Sequence, residues 1–300
     1  MSPVISIDLG GTAIKYGLLN PGGDLLWNRR TPTPTTSKEA VIEALVECIL
    51  EALEREPTAS AIGIGTPGLV DSETGLVKGG AFQLPEWESL PLGEILKERT
   101  GLPVFVDNDA NLMGLGEFRF GMKEQLRNAV FITVGTGIGG AIIVNGELYR
   151  GHFFAGTELG CFPFSSEGRQ GYWEDFASAA ALVDRYKQLS RKTEDESVNG
   201  KYLFNQAAQG DPIAVDCIGY HTQVLGQGIG GYINVFNPEM VIIGGGLSES
   251  GPAYIEAVRT ESLKWALPDC SRGVRIEAAV LGNRAGLLGA GYFAQTQMAR

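Results

Sequence analysis

The stretch VISIDLGGTAIKYGLLNPGGDLLW, residues 4–27, decides the fold class. A short β-branched run ends in a glycine pair, and a second apolar run returns from it. A Pro-Gly-Gly-Asp turn then leads into a third run, so the stretch reads as a β-meander. The same order comes back about 125 residues later in NAVFITVGTGIGGAIIVNGELYRG, residues 128–151. Strand, glycine turn, strand, turn and strand occurring twice imply two related halves.

The intervening segments alternate. Residues 37–57 predict a helix, with Ile42, Leu45, Val46, Ile49, Leu50 and Leu53 at helical spacing. AIGIGTPGLVD, residues 61–71, reads as a buried strand running into a loop. LGEILKERTG, residues 92–101, is a helix stopping at Gly101, and PVFVDNDA, residues 103–110, is a strand ending in acids. Residues 111–121, 176–191 and 202–236 read as mainly helical. PEMVIIGGGLSESG (238–251) is a strand and glycine turn, 252–267 a helix, 274–282 a strand and 285–299 a final helix. Strands alternating with helices make this an α/β protein.

The 300 residues are 44% hydrophobic and 20% charged, and the net charge is −11. An acidic surface repels nucleic-acid phosphates and anionic membranes, so neither is an expected partner. No apolar run reaches the roughly 18 residues of a membrane span. Cys48, Cys161, Cys217 and Cys270 are scattered and form no CxxC. They read as reduced thiols of a cytoplasmic protein. The N-terminus has no basic region of a signal peptide and enters a strand at once.

Two windows match GxGxxG by letter, Gly63–Gly68 and Gly135–Gly140. A dinucleotide site needs that motif to open a helix, whose N-terminus binds the pyrophosphate. The first window enters a proline-containing loop and the second a strand, so neither qualifies. A P-loop signature is absent from the sequence. Glycine-rich β-turns can still cradle phosphate, because successive N–H groups in a tight turn form an anion nest. Asp8-Leu-Gly10-Gly11-Thr12 and Gly135-Thr136-Gly137 have that form. A carboxylate such as Asp8 holds Mg²⁺, usually through water. Two such hairpins, one with an acid, suit a Mg–nucleotide; two ordinary tight hairpins are the alternative. Asp107, Asn108 and Asp109 end a strand, where catalytic groups of α/β sheets gather. Asn108 and Asp109 equally suit a helix N-cap.

Taken in order, IDLGGTAIKYGLL, IGIGTPGLVD, VDNDANLMGLGE, TVGTGIGGAIIVNGELYRG, GTELG and NPEMVIIGGGLSE resemble the ROK family of sugar kinases, open-reading-frame proteins and repressors over nearly the whole chain. The resemblance implies an actin/Hsp70/hexokinase-like fold, two α/β domains around a cleft. These would be 1–117 with 285–300, and 118–284. It also implies an ATP- and Mg²⁺-dependent kinase of a hexose or hexose derivative. By resemblance Asp109 is the general base, and Gly68, Asn108, Glu158 and Glu174 meet the sugar. Asp8, Gly10, Gly11, Thr12, Gly135, Thr136, Gly137, Gly244, Gly245 and Gly246 meet the nucleotide. Family members are often dimers, so a homodimer is one expectation. The family's repressors carry an N-terminal helix-turn-helix domain, whereas this chain starts directly in the first strand.

One stretch departs from the family. GTELGCFPFSSEGRQGYWED, residues 156–175, keeps Glu158 and Glu174. The family's zinc-binding histidine is replaced by Cys161, and its three cysteines by Ser165, Glu167 and Tyr172. One thiol cannot build a tetrahedral N/S site, so no structural zinc is expected. Phe162, Phe164, Tyr172 and Trp173 are expected to brace the loop instead. Gln83 replaces an asparagine on the sugar side, and Trp87 reads as core. His152 and His221 match no family site and read as surface or packing residues. The lost histidine leaves open a non-catalytic sugar-binding protein built on a decayed kinase.

Overall fold

The computed structural model describes residues 2–122 and 126–299. The chain divides into two compact units: Met1–Glu124 with Leu148–Thr157 and Asn283–Arg300, and Gln125–Glu147 with Glu158–Gly282. The excursion Leu148–Thr157 counts with the first unit because Arg150 pairs with the buried Asp107 and Thr157 bonds Asn111 there.

In the first unit β1 (Val4–Leu9), β2 (Ala13–Leu19) and β3 (Leu25–Pro32) form an antiparallel meander. After α1 (Lys38–Arg55), β4 (Ile62–Thr66) pairs parallel with β1. The hairpin β5 (Leu69–Asp71) and β6 (Leu76–Gly79) follows, then α2 (Leu92–Thr100). β7 (Val104–Asn108) completes the sheet in the order β3-β2-β1-β4-β7 and runs directly into α3 (Asp109–Gly116). Every residue of β1 is buried, as its unbroken apolar run requires of a central strand.

Ser37 caps α1, its hydroxyl accepting from the Ala40 N–H. The helix buries Val41, Ile42, Leu45, Val46 and Ile49, but Leu50 is 48% exposed. Its 3.6-residue repeat carries Leu50 past the edge of that face. α2 stops at Gly101 in the left-handed conformation, where glycine carries no Cβ penalty.

The second unit repeats the plan. β8 (Ala129–Val134), β9 (Ile138–Val144) and β10 (Glu147–Tyr149) form its meander. β11 (Pro163–Ser166) and β12 (Arg169–Tyr172) form a hairpin inside the stretch that the sequence left without elements. Four helices follow, α4 (Glu174–Ala177), α5 (Ala179–Ser190), α6 (Gly200–Ala208) and α7 (Pro212–Phe236). β13 (Met240–Gly244), α8 (Pro252–Trp265) and β14 (Arg275–Ala278) close the sheet in the order β10-β9-β8-β13-β14. α9 (Ala285–Met298) then packs on the first sheet.

Gly63, in the first GxGxxG window, serves that packing. A Cβ on Gly63 would lie 2.0 Å from the Ala290 carbonyl oxygen of α9. The bare glycine lets strand and helix approach, which accounts for Gly63 without a ligand.

Candidate functional site

In the first unit the turn after β1 closes with Gly10 N–H donating to the Ala13 carbonyl at 3.0 Å. Thr33, at the end of β3, holds it from outside. Its N–H donates to the Thr12 carbonyl at 3.1 Å, and its Oγ1 donates to the Gly10 carbonyl at 2.6 Å. Thr12 is exposed. A Cβ on Gly11 would meet Gln83 Cγ at 2.9 Å, so Gln83 lies over this turn. Asp8 is buried at the end of β1, and Lys15 Nζ sits 2.9 Å from its Oδ2. The pairing follows from register, because Asp8 and Lys15 are Cα partners across β1 and β2.

At the end of β7, Asn108 is the N-cap of α3, its side chain accepting from Asn111 N–H at 3.0 Å. Its Nδ2 donates to the Gly68 carbonyl at 2.9 Å, tying the cap to the loop after β4. Gly68 has φ +98°, and a Cβ there would stand 2.5 Å from the Gly79 carbonyl oxygen. Asp109 is half-buried in the first turn of α3, and its Oδ1 accepts from the Ala110 N–H at 2.9 Å. The capping role considered for this motif belongs to Asn108. Asp109 opens the helix at the strand end.

Asp107, given no role by the sequence, organises this strand end. It is fully buried, and Arg150 donates to its Oδ2 through Nε at 2.8 Å and Nη2 at 2.6 Å. Its Oδ1 accepts from Asn108 N–H at 2.8 Å and Asn111 Nδ2 at 3.2 Å. Thr157 Oγ1 reaches Asn111 Oδ1 at 3.1 Å. A carboxylate closing an apolar strand demands a cation, which was the available signal. Nothing local says which arginine answers it. Trp87 is core, as expected, with its indole donating to Thr66 Oγ1 at 2.9 Å.

In the second unit the turn between β8 and β9 closes with Gly135 N–H donating to the Gly137 carbonyl at 2.9 Å. Thr136 is exposed at its tip, as Thr12 is in the first. Ala179 N–H, opening α5, donates to the Gly135 carbonyl at 2.9 Å. Glu174 Oε2 accepts from Ile138 N–H at 2.9 Å. Gly244 ends β13. Gly245 has φ +87°, and a Cβ there would strike the Val134 backbone. Gly246 faces open space.

Glu158 is exposed, yet neighbouring protein desolvates its carboxyl and Glu174 repels its charge, so its pKa lies above the usual carboxylate value. The Cys161 thiol is likewise pushed up by desolvation and by Glu174, Glu158 and Asp175. Phe162 stacks on Trp173 with centroids 5.3 Å apart, Phe164 meets Phe176, and Tyr232 closes on both Phe162 and Trp173. Tyr172, expected among the braces, is instead 53% exposed. Alternation along β12 turns it outward. Glu167 pairs with Arg185 at 2.7 Å. His152 lies on the surface, and His221 is buried against the Tyr254 hydroxyl at 2.9 Å.

Comparison with known proteins extends the geometry. The ROK family model matches residues 4–297. The glucokinase of Streptomyces coelicolor is 35% identical over 312 residues, spanning 97% of this chain and 96% of that protein. A putative xylose repressor of Caldicellulosiruptor is 34% identical, over 95% of this chain and 76% of its own length. Among solved structures, a ROK family glucokinase from Streptomyces griseus in complex with glucose and AMPPNP aligns with a TM-score of 0.84. It is 32% identical, and the alignment covers 98% of this chain and 100% of that one.

Proposed function

This chain belongs to the ROK family, and we propose that it is a cytoplasmic ATP- and Mg²⁺-dependent kinase of a hexose or hexose derivative. It has the actin/Hsp70/hexokinase-like fold of the ROK sugar kinases. Asp109 accepts the proton of the attacking primary hydroxyl. Gly68, Asn108, Glu158 and Glu174 bind the sugar. The two glycine turns and Gly244–Gly246 bind Mg–ATP, with Asp8 facing the metal through water.

The observation that carries this reading is the duplicated glycine turn, an acid behind the first, joined with a carboxylate in the first turn of α3. Phosphoryl transfer asks the protein for alignment, charge stabilisation and a proton acceptor. N–H groups in two turns supply the first two, and Asp109 the third. One of the two hydrogens on Asn108 Nδ2 is committed to Gly68, so Asn108 meets the sugar through the other. Aromatic packing of Phe162, Phe164 and Trp173 holds the 156–175 stretch without zinc. Elemental analysis of protein purified without added metal is expected to find substoichiometric zinc.

The test is ADP release from Mg–ATP with glucose, fructose, mannose, allose, N-acetylglucosamine and N-acetylmannosamine in turn. Sugar-dependent release is expected for at least one. Asp109→Asn should then lower kcat by about 10²–10⁴-fold while calorimetry still detects sugar binding. Unchanged turnover in that variant would remove Asp109 as the base. A second reading follows from Cys161, which replaces a sugar-site donor with a poor one. Sugar binding by folded protein without ADP release across the panel would favour it.

A further inference from the structure

We infer that Glu174 is a positioning residue for the second phosphate turn, joining the nucleotide side of the site to its sugar side through one carboxylate. The inference rests on the kinase reading above and adds a second task for this side chain.

The geometry is specific to Glu174. Its Oε2 accepts from Ile138 N–H, the amide immediately after Gly137. A Cβ on Gly137 would lie 2.6 Å from that oxygen, and one on Gly160 would lie 2.8 Å from it. Both positions must therefore stay bare for the carboxylate to reach the turn. The turn is also held from its other end, where Ala179 N–H bonds the Gly135 carbonyl. Residues 174 and 179 thus brace both limbs of the Gly135–Gly137 turn. Trp173 and Phe162 lock the base of this brace, with Trp173 Nε1 bonded to the Val224 carbonyl at 2.8 Å.

An anion nest binds phosphate only while its N–H groups converge. A charge-assisted bond to the next amide in the chain fixes that convergence before the ligand arrives. Oε1 remains for a sugar hydroxyl. Glu158, by contrast, makes no such bond to the turn and serves the sugar alone.

The experiment is titration of Mg–AMPPNP into the intact protein, with sugar KM measured in parallel. Glu174→Ala is expected to weaken nucleotide binding by about tenfold and to raise the sugar KM. Glu174→Gln retains a carbonyl oxygen for Ile138 N–H, so nucleotide affinity recovers to within about threefold while the sugar KM stays raised. Glu158→Gln raises only the sugar KM. Gly160→Ala, whose Cβ would lie 2.8 Å from Glu174 Oε2, reproduces the nucleotide defect should Glu174→Ala melt early. Wild-type nucleotide affinity in folded Glu174→Ala overturns this inference alone. A wild type that binds no Mg–AMPPNP overturns the kinase reading and this inference with it.

Discussion

The two glycine hairpins share a backbone plan and differ in what stands around them. β1 and β2 lie in one sheet as β8 and β9 lie in the other, each meander flanked by a parallel strand. Behind the first turn stands Asp8; the corresponding site of β8, one residue before its end, is Thr133. The first turn is held by Thr33 and covered by Gln83, the second by Ala179 and Glu174. Buried polar groups diverge too. The first unit neutralises Asp107 with Arg150, whereas the second buries His221, whose surroundings push its pKa down to about 4. The turn is common to both units, because strand geometry enforces it. The braces were free to change because any donor or acceptor of the right reach will do.

The largest effect on activity expected to separate the two turns tests the asymmetry of the acids. Asp8→Asn should lower kcat/KM by roughly 10²–10³-fold, while Thr133→Ser leaves it close to wild type. Equal losses in steady-state kinetics would make the turns functionally equivalent.

Arg150→Met comes next. It strands a fully buried carboxylate, and urea unfolding should show a loss of about 3–5 kcal/mol. Asp107→Asn added to it should recover part of that loss, because no buried charge then remains.

His221 provides the contrasting test in the second unit. Burial lowers its pKa from an ordinary 6.5 to about 4, so the folded state holds it neutral. Between those values the unfolded chain binds the extra proton. Its contribution is therefore complete above pH 6.5 and lost as pH falls toward 4, by up to about 3 kcal/mol. Unfolding of His221→Leu should lack that component of the acid dependence.

Thr33→Val is the mildest change. It removes the hydroxyl bond to Gly10 but keeps the backbone bond to Thr12, and should cost about 1 kcal/mol. The second turn has no counterpart substitution at Ala179, whose brace is a backbone N–H.

Much of this was legible from neighbouring residues. The central strands, the glycine turns, Ser37 with the helix behind it and the stop at Gly101 follow from local pattern. Leu50 continues the helical stripe legible in the sequence, but the stripe outruns the face that α1 buries. The β11–β12 hairpin escaped notice because its strands are short and its turn, Glu167-Gly168, lies among polar residues. Tyr172 was counted as packing on its chemistry, and the alternation of β12 reversed it.

By itself the sequence determined an α/β chain with a duplicated meander and placed acids at two strand ends, because strand, helix and turn periodicities are written between residues close in the chain. Only tertiary structure decided that Arg150 answers Asp107, 43 residues away, that Glu174 reaches Ile138 across 36, and that Gln83 covers Gly11. Such pairings depend on where loops return in space, and on which glycines leave room for a side chain to arrive.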